Sequence, residues 1–172
     1  MTGDGRGPEG RPVSQSEVVL AQQMELEHSN LAGNVHGGVI MRLVDTAAGL
    51  AAAKHCGRVA VTVAMDDMSF IEPVFLGDIV TVRAMVNDTG TTSMEVGVRV
   101  EAENVHTGRH AHTSSAYLVF VALDAEGRPT PVPPAVAETE EQRQRQREAK
   151  LRREARLARK EAILKVRASR GE

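Results

Sequence analysis

The residue types able to do chemistry concentrate in "SNLAGNVHGGVIMRLVDTAAG", Ser29 to Gly49. Asn30, Gly33, Asn34, His36, Gly37 and Gly38 crowd its first half, as turn residues crowd a loop. An apolar helical pattern follows, carrying one carboxylate, Asp45, among Leu43, Val44, Ala47 and Ala48. The first turn of a helix presents N–H groups without intrahelical partners at the positive end of the dipole. Gly37 and Gly38 stand at that start, where glycine also lets a ligand approach the backbone closely. Such an end suits an anion, or a carbonyl oxygen that is gaining negative charge. The same two glycines would equally make a tight turn.

Asp45 has two readings. It suits a general base whose apolar neighbours raise its proton affinity. It also suits a solvated stripe with Arg42, Thr46 and Gly49, pairing with Arg42 at i,i+3. Asn30 is a turn residue, or an amide that positions water or a substrate carbonyl. His36 reads more readily as a cap or core histidine than as a catalyst. His28, His106, His110 and His112 show no metal-ligand spacing, and the lone Cys56 rules out a cysteine-based metal site and an internal disulfide.

Gly37 and Asp45 are eight residues apart, roughly 12 Å along a helix at 1.5 Å per residue. A reacting carbon must sit about 3 Å from both the oxyanion donor and the attacking water. One straight helix can hardly bring both groups to one carbon. If both act on it they come from two helices, and the site lies between two subunits.

The elements that would hold these groups are legible in the hydrophobic period. "SEVVLAQQMEL" reads as a strand or extended arm, and the helix spans about 38–54, ending before Gly57. The period then changes from helical to alternating. "RVAVTVAMDDMSF", "DIVTVRAMVND", "TSMEVGVRVEAENV" and "HAHTSSAYLVFVALDAEG" read as strands separated by turn residues. In the third, Met94, Val96, Val98, Val100 and Ala102 face one way while Glu95, Arg99, Glu101 and Glu103 face the other. One apolar helix and one sheet must cover each other, which predicts an α+β fold.

Composition sets the bounds. With 172 residues and 41% hydrophobic content the chain can bury a core of one domain. Aromatics are 2%, so Val, Ala, Leu, Ile and Met must fill that core. Residues 1–14 are rich in Gly, Pro and charge and are expected to be disordered. The domain proper is expected over 15–128, a stiff Pro-rich connector over 129–137, and a charged helix over 138–172. Residues 135–172 hold twelve Lys or Arg against seven Asp or Glu, leaving nine against sixteen for the rest. The body is acidic and the tail basic. The tail lacks the aromatics that stack nucleic-acid bases, so no nucleic-acid partner is expected. No apolar run resembles a signal peptide or membrane span, and the expected location is the reducing cytoplasm.

The segments "NLAGNVHGGVIMRLVDTAAG", "VTVAMDDMSFIEPVFLGD" and "TTSMEVGVRVEAEN" resemble the acyl-CoA thioesterases of the hotdog fold. The branch concerned includes brain acyl-CoA hydrolase and its single-domain bacterial relatives. The similarity runs from about Ser16 into the charged tail. It implies a long central helix wrapped by a curved antiparallel sheet of about five strands, dimerised into one continuous sheet and assembled as a trimer of dimers. It implies Asp45 as the catalytic carboxylate, Asn30 as the catalytic amide, and the N–H of Gly37 or Gly38 as the donor that polarises the thioester. The implied substrate is a fatty acyl-CoA, hydrolysed without a metal or separate cofactor, with no membrane partner. Some relatives carry a hydroxyl residue one turn beyond the acid, where this chain has Gly49. Arg58, Ser69, Thr91, Thr92 and Ser93 are candidates to touch the coenzyme A nucleotide, or are solvated strand ends. Val39 and Leu43 would line the acyl chain or the core. Two alternatives stay open: an acyl-CoA-binding sensor without turnover, and a hotdog dehydratase or hydratase.

Overall fold

The computed structural model describes residues 8–168. In chain order it comprises β1 (Arg11–Pro12), β2 (Val18–Gln23), α1 (Gly37–Cys56), β3 (Val59–Phe70), β4 (Ile79–Thr89), β5 (Ser93–Asn104), β6 (Arg109–Leu123), β7 (Ala135–Val136) and α2 (Glu140–Ala168). Strands β2 to β6 form one antiparallel sheet in the order β2-β4-β5-β6-β3. Helix α1 lies on its inner face, so the predicted class holds.

The small residues of α1 set how closely helix and sheet approach. Ile40, Val44, Ala47, Ala48, Ala51 and Ala52 recur at helical spacing and are all buried. They meet Val80, Val82, Ala84 and Val86 of β4, Met94, Val96, Val98, Val100 and Ala102 of β5, and Ala116, Leu118, Phe120 and Ala122 of β6. The helix ends where Gly57 takes φ +65° and its N–H caps the Ala53 carbonyl, a turn that favours glycine. Two residues beyond the expected end are helical for that reason.

The N-terminal expectation needs correction. Residues 1–7 lie outside the described residues, but 8–14 are folded. Arg11 and Pro12 pair in parallel with Ala135 and Val136. Val13 is buried, and the Arg11 guanidinium donates to the Lys54 and His55 carbonyls at the C-terminus of α1. A cation there matches the negative end of the dipole. The Pro-rich segment 129–137, expected as a stiff connector, is packed against the domain. Val132 is buried, Val132 N–H donates to the Thr91 carbonyl, and the Pro133 carbonyl accepts from His55 Nε2 at 3.0 Å.

Helix α2 starts on a Thr-x-x-Gln capping box, in which Thr139 Oγ1 and Gln142 Oε1 each accept the other residue's backbone N–H. Its first half lies on the outer face of the sheet. Ala149 is buried there, Gln146 Nε2 donates to Asp88 Oδ1, and Arg156 pairs with Asp66. Arg152 grips Glu95 through both Nε and Nη2 while stacking 3.6 Å above the Tyr117 ring. Glu95, on the polar side of β5, is thereby only 7% exposed.

Candidate active site

The loop before α1 is organised by Asn30. Its Oδ1 accepts from Ala32 N at 2.8 Å and Asn34 N at 3.2 Å, while its backbone N–H donates to the Asn34 carbonyl. This is the Asx-turn habit of asparagine, completed by Gly33 at φ +80°. With the carboxamide oxygen engaged, the Nδ2 donor of Asn30 is the end left to face a ligand. Both sequence readings of Asn30 are therefore compatible in one side chain.

His36 is the N-cap of α1, accepting from Gly38 N on Nδ1 at 2.9 Å. The cap reading of His36 holds, and it divides the two glycines. Gly38 N–H is already satisfied, so the donor left at the helix start is Gly37 N–H, which has no partner among the described residues. Gly37 and Asn30 line one cleft together with Ile40, Phe70, Ile71 and Val74. Phe70 packs directly over Gly37, where an added Cβ would lie 3.4 Å from the ring. Backbone bonds fix this cleft, notably Val35 N–H to the Val74 carbonyl at 2.9 Å.

Asp45 is not in that cleft. It is exposed on α1 and its Oδ1 accepts from Thr62 Oγ1 of β3 at 2.7 Å. It makes no ion pair with Arg42 among the described residues, so the i,i+3 pairing does not form. Thr46 Oγ1 instead donates back to the Arg42 carbonyl. Thr62 was not a candidate from sequence, since nothing marks it among the alternating residues of "VTVAMDDMSF". The candidate residues thus fall into two separate groups along α1. One holds Asn30 and Gly37, and the other holds Asp45 and Thr62.

The candidates for the nucleotide end are dispersed. Arg58 precedes β3, and Thr91 and Thr92 lie in the β4–β5 turn with Ser93 opening β5, both at the C-terminal end of α1. Ser69 lies at the opposite end of β3, ten residues from Val59 and so about 30 Å away at ~3.3 Å per residue. No single-chain site contains all five. The Thr91, Thr92 and Ser93 carbonyls accept from Val132, Ala122 and Gly90, which gives this turn a structural role.

No three His, Cys, Asp or Glu side chains among the described residues could hold a metal ion together. His112 Nε2 instead lies 3.0 Å from the Ser114 carbonyl and 2.9 Å from Ser115 Oγ. No helix among them is long and apolar enough to cross a membrane.

The family model of the thioesterase superfamily matches residues 32–109. The chain belongs to that family and has its hotdog fold. It is 38% identical over 121 residues to YkhA of Bacillus subtilis, described as an uncharacterized acyl-CoA thioester hydrolase, covering 70% of each chain. It is 35% identical over 123 residues to the human cytosolic acyl coenzyme A thioester hydrolase, covering 70% of this chain and spanning only 32% of that protein's length. Among solved structures, a hexameric acyl-CoA thioesterase matches with a TM-score of 0.85 and 34% identity, covering 88% of this chain and 97% of its own. The acyl-CoA hydrolase of Staphylococcus aureus, solved with butyryl coenzyme A and coenzyme A, matches with a TM-score of 0.85 and 32% identity over 94% of this chain and 99% of its own. That hydrolase was also solved with single alanine replacements of an aspartate, an asparagine and a threonine.

Proposed function

We propose that the protein hydrolyses fatty acyl-CoA to free fatty acid and coenzyme A, at sites shared between two copies of the chain. The observation that carries this reading is the separation of the half-sites. Gly37 and Asp45 ride one helix roughly 12 Å apart. Among the described residues strand β3 has a partner on one edge only and exposes Val59, Val61, Val63 and Phe70, with exposed Ile71 just after it. Antiparallel joining of two such edges sets one copy's Phe70 end beside the other's Thr62 end. Gly37 of the first copy then faces Asp45 of the second, and the partner covers a carboxylate that a single chain leaves exposed.

In that arrangement the thioester carbonyl meets Gly37 N–H, which stabilises the charge that develops on its oxygen. Asp45 of the other copy takes a proton from water as the water attacks the carbonyl carbon. Thr62 holds the carboxylate in one orientation. Asn30 Nδ2 orients the water or the substrate carbonyl. Coenzyme A departs as a thiolate, a good enough leaving group to dispense with a strong general acid, and no metal or cofactor takes part. The three replaced residues of the Staphylococcus aureus hydrolase are each numbered two below Asn30, Asp45 and Thr62, which supports the same trio here. The nucleotide end lies at the surface, where Arg58 and Ser69 from opposite copies meet along the joined edges. The hexameric relative supports a trimer of dimers. A cytoplasmic location accords with the cytosolic human relative.

The test is release of free thiol from acyl-CoAs of increasing chain length, with the wild type and Asp45→Ala. Turnover lost in the variant with binding retained supports the hydrolase. No turnover by the wild type on any chain length, with binding intact, would replace it with a sensor.

A further inference from the structure

Ser114 sits on β6, opposite Phe70 of β3 and Val100 of β5, and is 1% exposed. Its hydroxyl has no hydrogen-bond partner among the described residues. That is a costly arrangement, because a buried hydroxyl gives up its water bonds and here receives nothing in return. Two other buried side-chain atoms share this state, His55 Nδ1 and Asp66 Oδ1. Neutral imidazole needs only one donor bond, which His55 makes to Pro133, and the other oxygen of Asp66 pairs with Arg156. Ser114 has no such substitute.

What distinguishes Ser114 is its position. It lines the same cleft as Asn30 and Gly37, whose other walls include Ile40, Phe70 and Val74. Alanine would pack against those apolar walls without penalty, so the hydroxyl is explained by something that enters the cleft. The cleft is also lined by Asn34 and by Glu72, whose carboxylate is paired with Arg109; Gly37 N–H and Asn30 Nδ2 are donors, and a hydroxyl proton can rotate to join them. A cleft lined by these three donors suits an acceptor.

We infer that the Ser114 hydroxyl is a second donor to the acyl carbonyl oxygen, beside Gly37 N–H, and that it strengthens as that oxygen gains charge. The inference rests on the hydrolase reading, and its test separates the two. Ser114→Ala should lower kcat about a hundredfold, as loss of one oxyanion donor does, with KM changed less than about threefold. Its ligand-free melting temperature should equal or exceed that of the wild type, because an unsatisfied hydroxyl has been removed. Ser114→Cys, a weaker donor of similar size, should fall between the two.

Binding of two unreactive acyl-CoA analogues supplies a readout independent of turnover. One is a ketone with a methylene in place of sulfur, which keeps the carbonyl, and the other is a thioether that lacks it. Ser114→Ala should weaken the ketone about tenfold and leave the thioether unchanged. Wild-type kinetics in the variant, equal loss of both analogues, or a lowered melting temperature would each overturn the inference. If the wild type releases no thiol, the hydrolase reading fails, and the ketone–thioether comparison still decides the role of Ser114.

Discussion

Thr62 Oγ1 donates to Asp45 Oδ1 at 2.7 Å, joining the edge strand to the central helix across 17 positions of sequence. Both residues are exposed in the single chain, so the bond orients the carboxylate more than it stabilises the fold. Thr62→Val preserves the β-branched shape and removes the donor. A hydrogen bond to a charged group is worth about 1.5 kcal/mol, so kcat should fall roughly tenfold. Asp45→Ala should cost roughly 10²–10⁴ in kcat, as loss of a general base does. Steady-state kinetics on one acyl-CoA, with melting curves for both variants, checks the pair. A Thr62→Val enzyme with wild-type turnover would remove Thr62 from the site.

Mixed subunits test the proposed sharing of the site directly. Asn30→Ala and Asp45→Ala chains should each be inactive alone. After unfolding and refolding together at equal amounts, half the dimers are mixed, and each mixed dimer holds one intact site and one doubly damaged site. Activity should return to about a quarter of wild type if pairing is random. Persistent inactivity of a well-folded mixture would place Asn30 and Asp45 in the same chain's site.

Arg152 and Glu95 are coupled more tightly than a surface pair, because α2 leaves Glu95 only 7% exposed. Arg152→Ala strands that carboxylate with Asn87 Nδ2 as its remaining donor. Breaking a buried pair from one side costs about 3 kcal/mol, to be read from urea denaturation. Replacing Glu95 by Gln in the same chain should recover part of the loss, since a neutral amide tolerates burial without a counter-ion.

His55 gives the stability a pH dependence. Burial pushes its pKa below the ordinary 6.5, against the opposing effect of its bond to Pro133. The neutral ring donates from Nε2, so a second proton would go to Nδ1, which has no partner. The unfolded chain binds that proton more readily than the folded one. Stability is therefore full above 6.5 and declines as pH falls from there toward the lower folded value. Melting temperature followed from about pH 8 to about pH 5 should drop, and His55→Gln should flatten this part of the curve.

Much of this architecture was legible because period and position coincide. The alternation of Met94 to Ala102 is buried as read, and the extent of α1 was misjudged by a few residues because its start and end depend on a cap and a left-handed turn. Longer-range bonds left no such mark. Residues 8–14 look disordered by composition, and what orders them is Arg11 on two carbonyls more than forty residues away. Asn30 and Gly37 were visible through their turn-rich setting. Thr62 was not, since its meaning comes from facing Asp45 across the helix–strand interface. The choice between Gly37 and Gly38 waited on the orientation of the His36 ring.

The two ends of α1 are held very differently. Arg11 and the His55–Pro133 bond bind both chain termini's approaches to its last turn, while Gly37 begins it with a bare amide beside an open cleft. Amide hydrogen exchange along this one helix should therefore be graded, fast near Val39 and slow near Cys56. The end where we place the thioester carbonyl is thus the less restrained one, and the other is tied down by two distant segments.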